Sequence, residues 1–296
     1  MTRLKLKLAA LVVMACCCRP AAAYGTSRRR PVSRPVSQDV VPSPEIETQI
    51  TEAVSQARRI LEDLTTENIL SSPHLVSAIY YHDGFLNDYS VDRASADPER
   101  RIIGQISNML SAERKAQFVQ LLHDLWAQSE PSGPQRSAEP VVYSAVGGRR
   151  THRYAVDLFA REGSAVRAVS RGIVVLADRD WDPVNLFSTT SRKGGNSVIV
   201  FDPDRDRFYR YCHMGTVDVP AGKRVAAGES VGSVGHSGLN ASQPGHGRHL
   251  HFETNQYLEG RVRAIEYQQL RILLRQWKSA DRDNSPERSK PAPSKR

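Results

Sequence analysis

Two imidazoles two residues apart are the most chemically suggestive feature of this chain. They lie in Arg248-His249-Leu250-His251-Phe252-Glu253, and on a β-strand residues two apart point to the same side. His249 and His251 then reach one small volume, while Leu250 and Phe252 face a core. Nine histidines among 296 residues give about 0.3 such pairs by chance. The pair therefore needs partners before it carries meaning.

Two segments supply them. His152-Arg153-Tyr154-Ala155-Val156-Asp157 and Tyr211-Cys212-His213-Met214 add two histidines and a carboxylate. Three nitrogen or oxygen ligands with an open fourth position suit a catalytic zinc, whereas a structural zinc is closed by four. Spare histidines beside the ligands suit acid–base work. His152 and Asp157 stand five residues apart, a spacing that on a regular strand points them to opposite faces. A bulge or turn must lie between them.

The order His…Asp, His, His-x-His resembles that of the lysostaphin-type (LytM-like) zinc metalloendopeptidases. Glu162-Gly163-Ser164-Ala165-Val166-Arg167-Ala168, Gly194-Gly195-Asn196-Ser197-Val198 and the run Gly228–Gly238 add to the resemblance, which covers about residues 147–255. It implies an α+β chain with a compact, mainly antiparallel β peptidase domain. It also implies His152, Asp157 and His251 as ligands of one Zn2+ per chain, with His213 and His249 as the assisting catalytic pair. The implied reaction is hydrolysis of peptide bonds in bacterial peptidoglycan, in the stem peptide or a cross-link. The same fold occurs in forms without the metal that act as binding modules regulating other cell-wall hydrolases. All five positions here carry competent side chains, which favours the enzyme.

The remaining candidates have plainer readings. His74, His82 and His123 lack ligand spacing and read as structural or surface residues, and His236 and His246 as solvated residues of Gly-rich loops. Cys212 adjoins His213, so on a strand it faces away from it and reads as a small buried hydrophobe. Tyr211 would share a strand face with His213, and groove lining and ordinary packing are equally compatible with it and with Asn196.

The elements that must position these residues follow from periodicity and punctuation. Residues 43–128 read as a helical domain. Ser43-Pro44 opens a helix with an apolar stripe from Ile46 to Leu64, and further helices are expected around Leu75–Tyr81, Ile102–Leu110 and Phe118–Trp126. A linker follows over 129–145. Residues 146–258 form the peptidase-type domain, with strands expected at Gly172–Ala177, Ser197–Phe201 and Phe208–Cys212 between Gly, Asp and Asn clusters. A C-terminal helix over 259–279 and a basic tail over 280–296 complete the chain.

Charge and cysteine usage bound the compartment. Arg3, Lys5 and Lys7 precede the apolar run Leu8–Ala15, too short to span a bilayer, so residues 1–23 read as an export signal. Cleavage after Ala21-Ala22-Ala23 is favoured over lipoprotein processing before Cys16. Either route places the protein in the periplasm, the cell envelope or outside the cell. Residues 24–42, rich in Arg, Pro and Ser, read as a linker. Of four cysteines three are Cys16, Cys17 and Cys18, so a mature soluble form keeps only Cys212 and has no internal disulfide. The net charge is +9, but eight Lys/Arg against one Asp fall in residues 1–40 and five against three acids in 281–296. The segment between is neutral, which argues against nucleic acid as a partner. A membrane or cell-wall protein docking on the helical domain is the other partner expected.

Overall fold

The computed structural model describes residues 43–81, 98–128, 137–149, 151–185 and 187–283. The expected export signal with Cys16, the linker 24–42, His82, residues 129–136 of the second linker and residues 284–296 lie outside these.

Local signals start the helices where the sequence puts them. α1 (Pro44–Glu62) begins with Ser43 Oγ accepting from the Ile46 N–H at 3.4 Å and Pro44 in the first turn. α2 (Pro73–Tyr80) repeats the device, with Ser72 Oγ accepting from the Leu75 N–H. α3 (Pro98–Ser107) and α4 (Ala112–Ala127) follow, the latter capped by Ser111. α5 (Tyr267–Asp283) closes the described chain.

Between α4 and α5 lie β1 (Ala145–Gly147), β2 (Ala155–Phe159), β3 (Ala165–Arg167), β4 (Gly172–Asp178), β5 (Ser197–Asp202), β6 (Arg207–Cys212), β7 (Met214–Val217), β8 (Arg224–Val225), β9 (Ser230–Val234), β10 (His249–Leu258) and β11 (Arg261–Ala264). The main sheet runs β1-β2-β10-β6-β5-β4-β8, with β11 also on β10, and a small sheet runs β3-β9-β7. Every named pairing is antiparallel. The class is the expected α+β one.

Each face of the main sheet has its own core. Leu158, Val174, Val198, Tyr209, Tyr211, Leu250 and Phe252 point to one side and pack with the small sheet and with Leu270, Leu274 and Trp277 of α5. Ile173, Ile199, Phe201 and Phe208 point to the other and share a core with α1 to α4. Phe201 and Phe208 are essentially fully buried, and each contributes about 1.5–3 kcal/mol by leaving water. Arg224 clamps the C-terminus of α4, donating to the carbonyls of Leu125 and Trp126 while lying over the Trp126 ring.

The helical segment, read from the sequence as a domain of its own, is therefore a layer on the sheet, and the described residues form one compact unit. The expected linker is corrected in its second half. Ala138 and Val141 are buried, Ala138 N–H bonds Val169 O at 2.9 Å, and 145–147 form β1. The expected helix over 259–279 is also corrected. β10 turns back at Glu259 (φ 50°) and Gly260 (φ 79°) into β11, and the helix starts only at Tyr267. Two consecutive positive φ values are what a tight two-residue hairpin needs, and Gly260 supplies one without strain.

Candidate active site

Strand register builds the site. His251 on β10 lies opposite Asp157 on β2 and opposite Cys212 on β6, so these three side chains share one face of the sheet. His249, two residues earlier, joins them, while Leu250 and Phe252 enter the opposite core as expected. His152 lies on a turn before β2, its N–H bonded to Gly148 O at 2.7 Å. That turn is what the five-residue spacing demands. It brings His152 Nε2 to 3.2 Å from Asp157 Oδ2, while His251 Nδ1 donates to Asp157 Oδ1 at 3.0 Å. One ligand atom from each of His152, Asp157 and His251 can be chosen so that all lie within 4.8 Å of one another.

His213 comes from the junction of β6 and β7, where it adopts φ 62°. Its N–H bonds Gly194 O at 2.9 Å and its Nδ1 donates to Ser237 O at 2.8 Å. The left-handed backbone breaks the strand alternation, which corrects two expectations. Cys212 and His213 both line the same cavity, and Tyr211 does not share a face with His213. Tyr211 is instead buried in the other core, its hydroxyl accepting from the Val169 N–H at 2.9 Å. Asn196 likewise serves structure, its Oδ1 accepting from the Trp181 N–H. His213 stands 4.9 Å from His249 and 5.5 Å from His251, ring centre to ring centre.

Electrostatics divide the four imidazoles and their acids. Burial lowers the pKa of His213 to about 3, with help from His251 and His249, and burial lowers that of His249. Burial thus favours the neutral form of both rings. Each uses Nδ1–H on a backbone carbonyl, His249 on Gly247 O at 3.0 Å, which leaves Nε2 as a proton acceptor. His251 behaves oppositely. Burial opposes its charge, but hydrogen bonds to Asp157 and to Glu253 (2.9 Å from Nε2) overcome burial and raise it to about 9. Burial pushes Asp157 up, and His152 and His251 more than reverse this, leaving it well below the usual carboxylate range. The pocket thus favours positive charge held between carboxylates. Two histidines and an aspartate at these distances are a donor set that fits a catalytic divalent metal.

The cavity of about 610 Å3 around these groups has walls the sequence did not reveal. Tyr80 and Tyr81 at the end of α2 and Glu99 of α3 line it, as do Arg210 and Glu253. Glu253 was legible in principle, since it follows His251 by two on the same strand. Tyr80 was not, being 173 residues from its partner Glu253. His246 also lines the cavity, 5.5 Å from His249. His123 and His236 pair elsewhere, with Asp206 at 2.7 Å and Glu162 at 2.9 Å.

Comparison with known proteins agrees with this constellation. Residues 151–263 match the profile of Peptidase family M23. That segment resembles an M23 peptidase domain. It contains all five residues singled out above and ends within β11. Over 102 residues the chain is 32% identical to glycyl-glycine endopeptidase ALE-1 of Staphylococcus capitis, a match covering 34% of this chain and 24% of that protein. The chain thus spans about a quarter of that relative's length. Among solved structures, the catalytic domain of lysostaphin from Staphylococcus simulans is 24% identical with a TM-score of 0.29, covering 45% of this chain and 86% of that one. A zinc-containing peptidase from Vibrio cholerae is 18% identical with a TM-score of 0.32, covering 45% and 39% respectively. The helices that precede residues 151–263 fall outside the family match.

Proposed function

We propose that this protein is a zinc-dependent endopeptidase that hydrolyses peptide bonds of bacterial peptidoglycan, in the stem peptide or a cross-link, outside the cytoplasm. The observation that carries the reading is the His152, Asp157 and His251 cluster, with donor atoms within 4.8 Å, facing two further histidines in one cavity. The peptide substrate rests on the family match and on the 32% identity to a glycyl-glycine endopeptidase.

In this reading His152, Asp157 and His251 hold the zinc. A zinc ion so held supplies a Lewis acid that makes water nucleophilic near neutral pH and polarises the scissile carbonyl. Of His213 and His249, one would accept at Nε2 the proton of the attacking water; the Nε2–H so formed would hydrogen-bond the developing oxyanion and then pass the proton to the leaving amine, while the other ring lines the same face of the site. Their Nδ1 bonds to Ser237 O and Gly247 O hold the rings in place. The apolar faces of α1 to α4 are engaged on the sheet, so docking of a membrane or cell-wall protein through the helices is not part of the proposal. The rival, a silent binding module, is disfavoured by the presence of all five side chains.

The test is zinc content and peptidoglycan cleavage by the full chain, beside His251→Ala. The reading expects about one zinc per chain, with cleavage abolished by the substitution. A chain that binds little zinc and turns over no peptidoglycan refutes it in favour of the binding module.

A further inference from the structure

The M23 match stops short of the helices, yet one of them reaches the ligand cluster through a chain of polar contacts. His251 uses Nδ1 toward Asp157, and its Nε2 donates to Glu253 Oε1 at 2.9 Å. The other oxygen, Glu253 Oε2, accepts from the Tyr80 hydroxyl at 2.9 Å and lies 3.6 Å from Arg210 Nη1. Tyr80 is itself fixed. It is the last residue of α2, its ring meets Phe208 edge-on at 6.4 Å, and its carbonyl accepts from Asn255 Nδ2 at 2.6 Å.

We propose that Glu253 is a positioning residue for His251, that Tyr80 holds Glu253 in that role, and that the helical layer is thereby part of the metal centre. The inference rests on the proposed zinc reading. An imidazole that coordinates a metal through one nitrogen is oriented by what its other N–H donates to, and a carboxylate in that place also makes the ring a stronger ligand. Glu253 is that carboxylate for Nε2, which leaves Nδ1 on the Asp157 side. A plainer reading makes Glu253 only the counter-ion of buried Arg210. The distances favour the first, since Glu253 approaches His251 and Tyr80 at 2.9 Å and Arg210 only at 3.6 Å. Tyr80 and Arg210 are both nearly fully buried, so two of the partners of Glu253 are fixed by the packing around them.

The experiment measures zinc affinity by chelator competition on the full chain, wild type beside Glu253→Gln and Tyr80→Phe, with the thermal midpoint of each zinc-free form. Glu253→Gln is expected to weaken zinc binding about 10–100-fold. Tyr80→Phe, which keeps the ring and removes only the hydroxyl, is expected to weaken it about 3–10-fold with the zinc-free form still folded. A Tyr80→Phe protein that is folded and binds zinc within twofold of wild type overturns the role of Tyr80. The same result for Glu253→Gln overturns the role of Glu253. A wild type that binds no zinc overturns the underlying reading and this inference with it, so the two failures are distinguishable.

Discussion

Gly195→Ala tests whether the two loops that clamp His213 are as tightly apposed as the structure has them. At Gly195 φ is +65°, and an added Cβ would lie 2.4 Å from Gly238 N, 2.5 Å from Ser237 C and 2.6 Å from Ser237 Oγ. Two of those three atoms are backbone, and Ser237 O is the acceptor of His213 Nδ1. The methyl therefore meets two costs: about 1–2 kcal/mol for an L side chain in the left-handed region, and about 1–3 kcal/mol for overpacking. Gly163→Ala is the matched control, since φ there is +78° and nothing lies within 4 Å of the new Cβ. The gain from a stiffer unfolded chain is common to both substitutions and cancels in their difference. Urea unfolding with unchanged m should place Gly195→Ala about 1–3 kcal/mol below Gly163→Ala. Under conditions where both are folded, the proposed function also expects Gly195→Ala to lose about 100-fold in peptidoglycan cleavage, since in that reading a displaced His213 is out of reach of the reacting water. Equal stabilities for the two variants would refute the apposition, and full activity in Gly195→Ala would refute its link to His213.

Two further outcomes are expected. The isolated fragment 141–280 should be poorly soluble and bind a hydrophobic dye, because it bares Ile173, Ile199, Phe201 and Phe208; a soluble, fully active fragment would show that the helical layer is dispensable. Burial lowers the His74 pKa from 6.5 to about 4, so between these values the unfolded chain binds the extra proton. Stability should therefore fall as pH drops from about 6.5 toward 4 and be level above that window. His74→Gln should flatten this part of the pH profile of urea midpoints, and an unchanged slope would count against it.

The sequence exposed what strand periodicity and local punctuation encode. His249 and His251 share a face because strands have period two, and Ser43 and Ser72 cap helices because their own hydroxyls do it. What stayed hidden depends on register or on distant partners. That Cys212 faces the site follows from its place opposite His251, which no spacing within Tyr211–Met214 shows. The left-handed backbone of His213 is set by bonds to Gly194 and to Ser237. The docking of α1 to α4 on Phe201 and Phe208 is a tertiary fact, since an apolar stripe says that a helix needs a partner and not which one. β11 was absorbed into the expected helix because four residues, Arg261–Ala264, are too few to show a period.

The lateral borders of the main sheet bear on how the protein behaves when crowded. Its strands β4 and β5 are mainly apolar, the kind that seed intermolecular stacking when a sheet's flanks are open. Among the described residues the open flanks are β1 with three residues, β11 with four and β8 with two. β11 carries Arg261 and Arg263, and β8 carries Arg224. Short borders, that of β11 also cationic, offer a neighbouring molecule few backbone groups to pair with. The native fold thus guards against strand-on-strand association between copies at its margins, and substitutions that lengthen or neutralise those borders are where aggregation would begin.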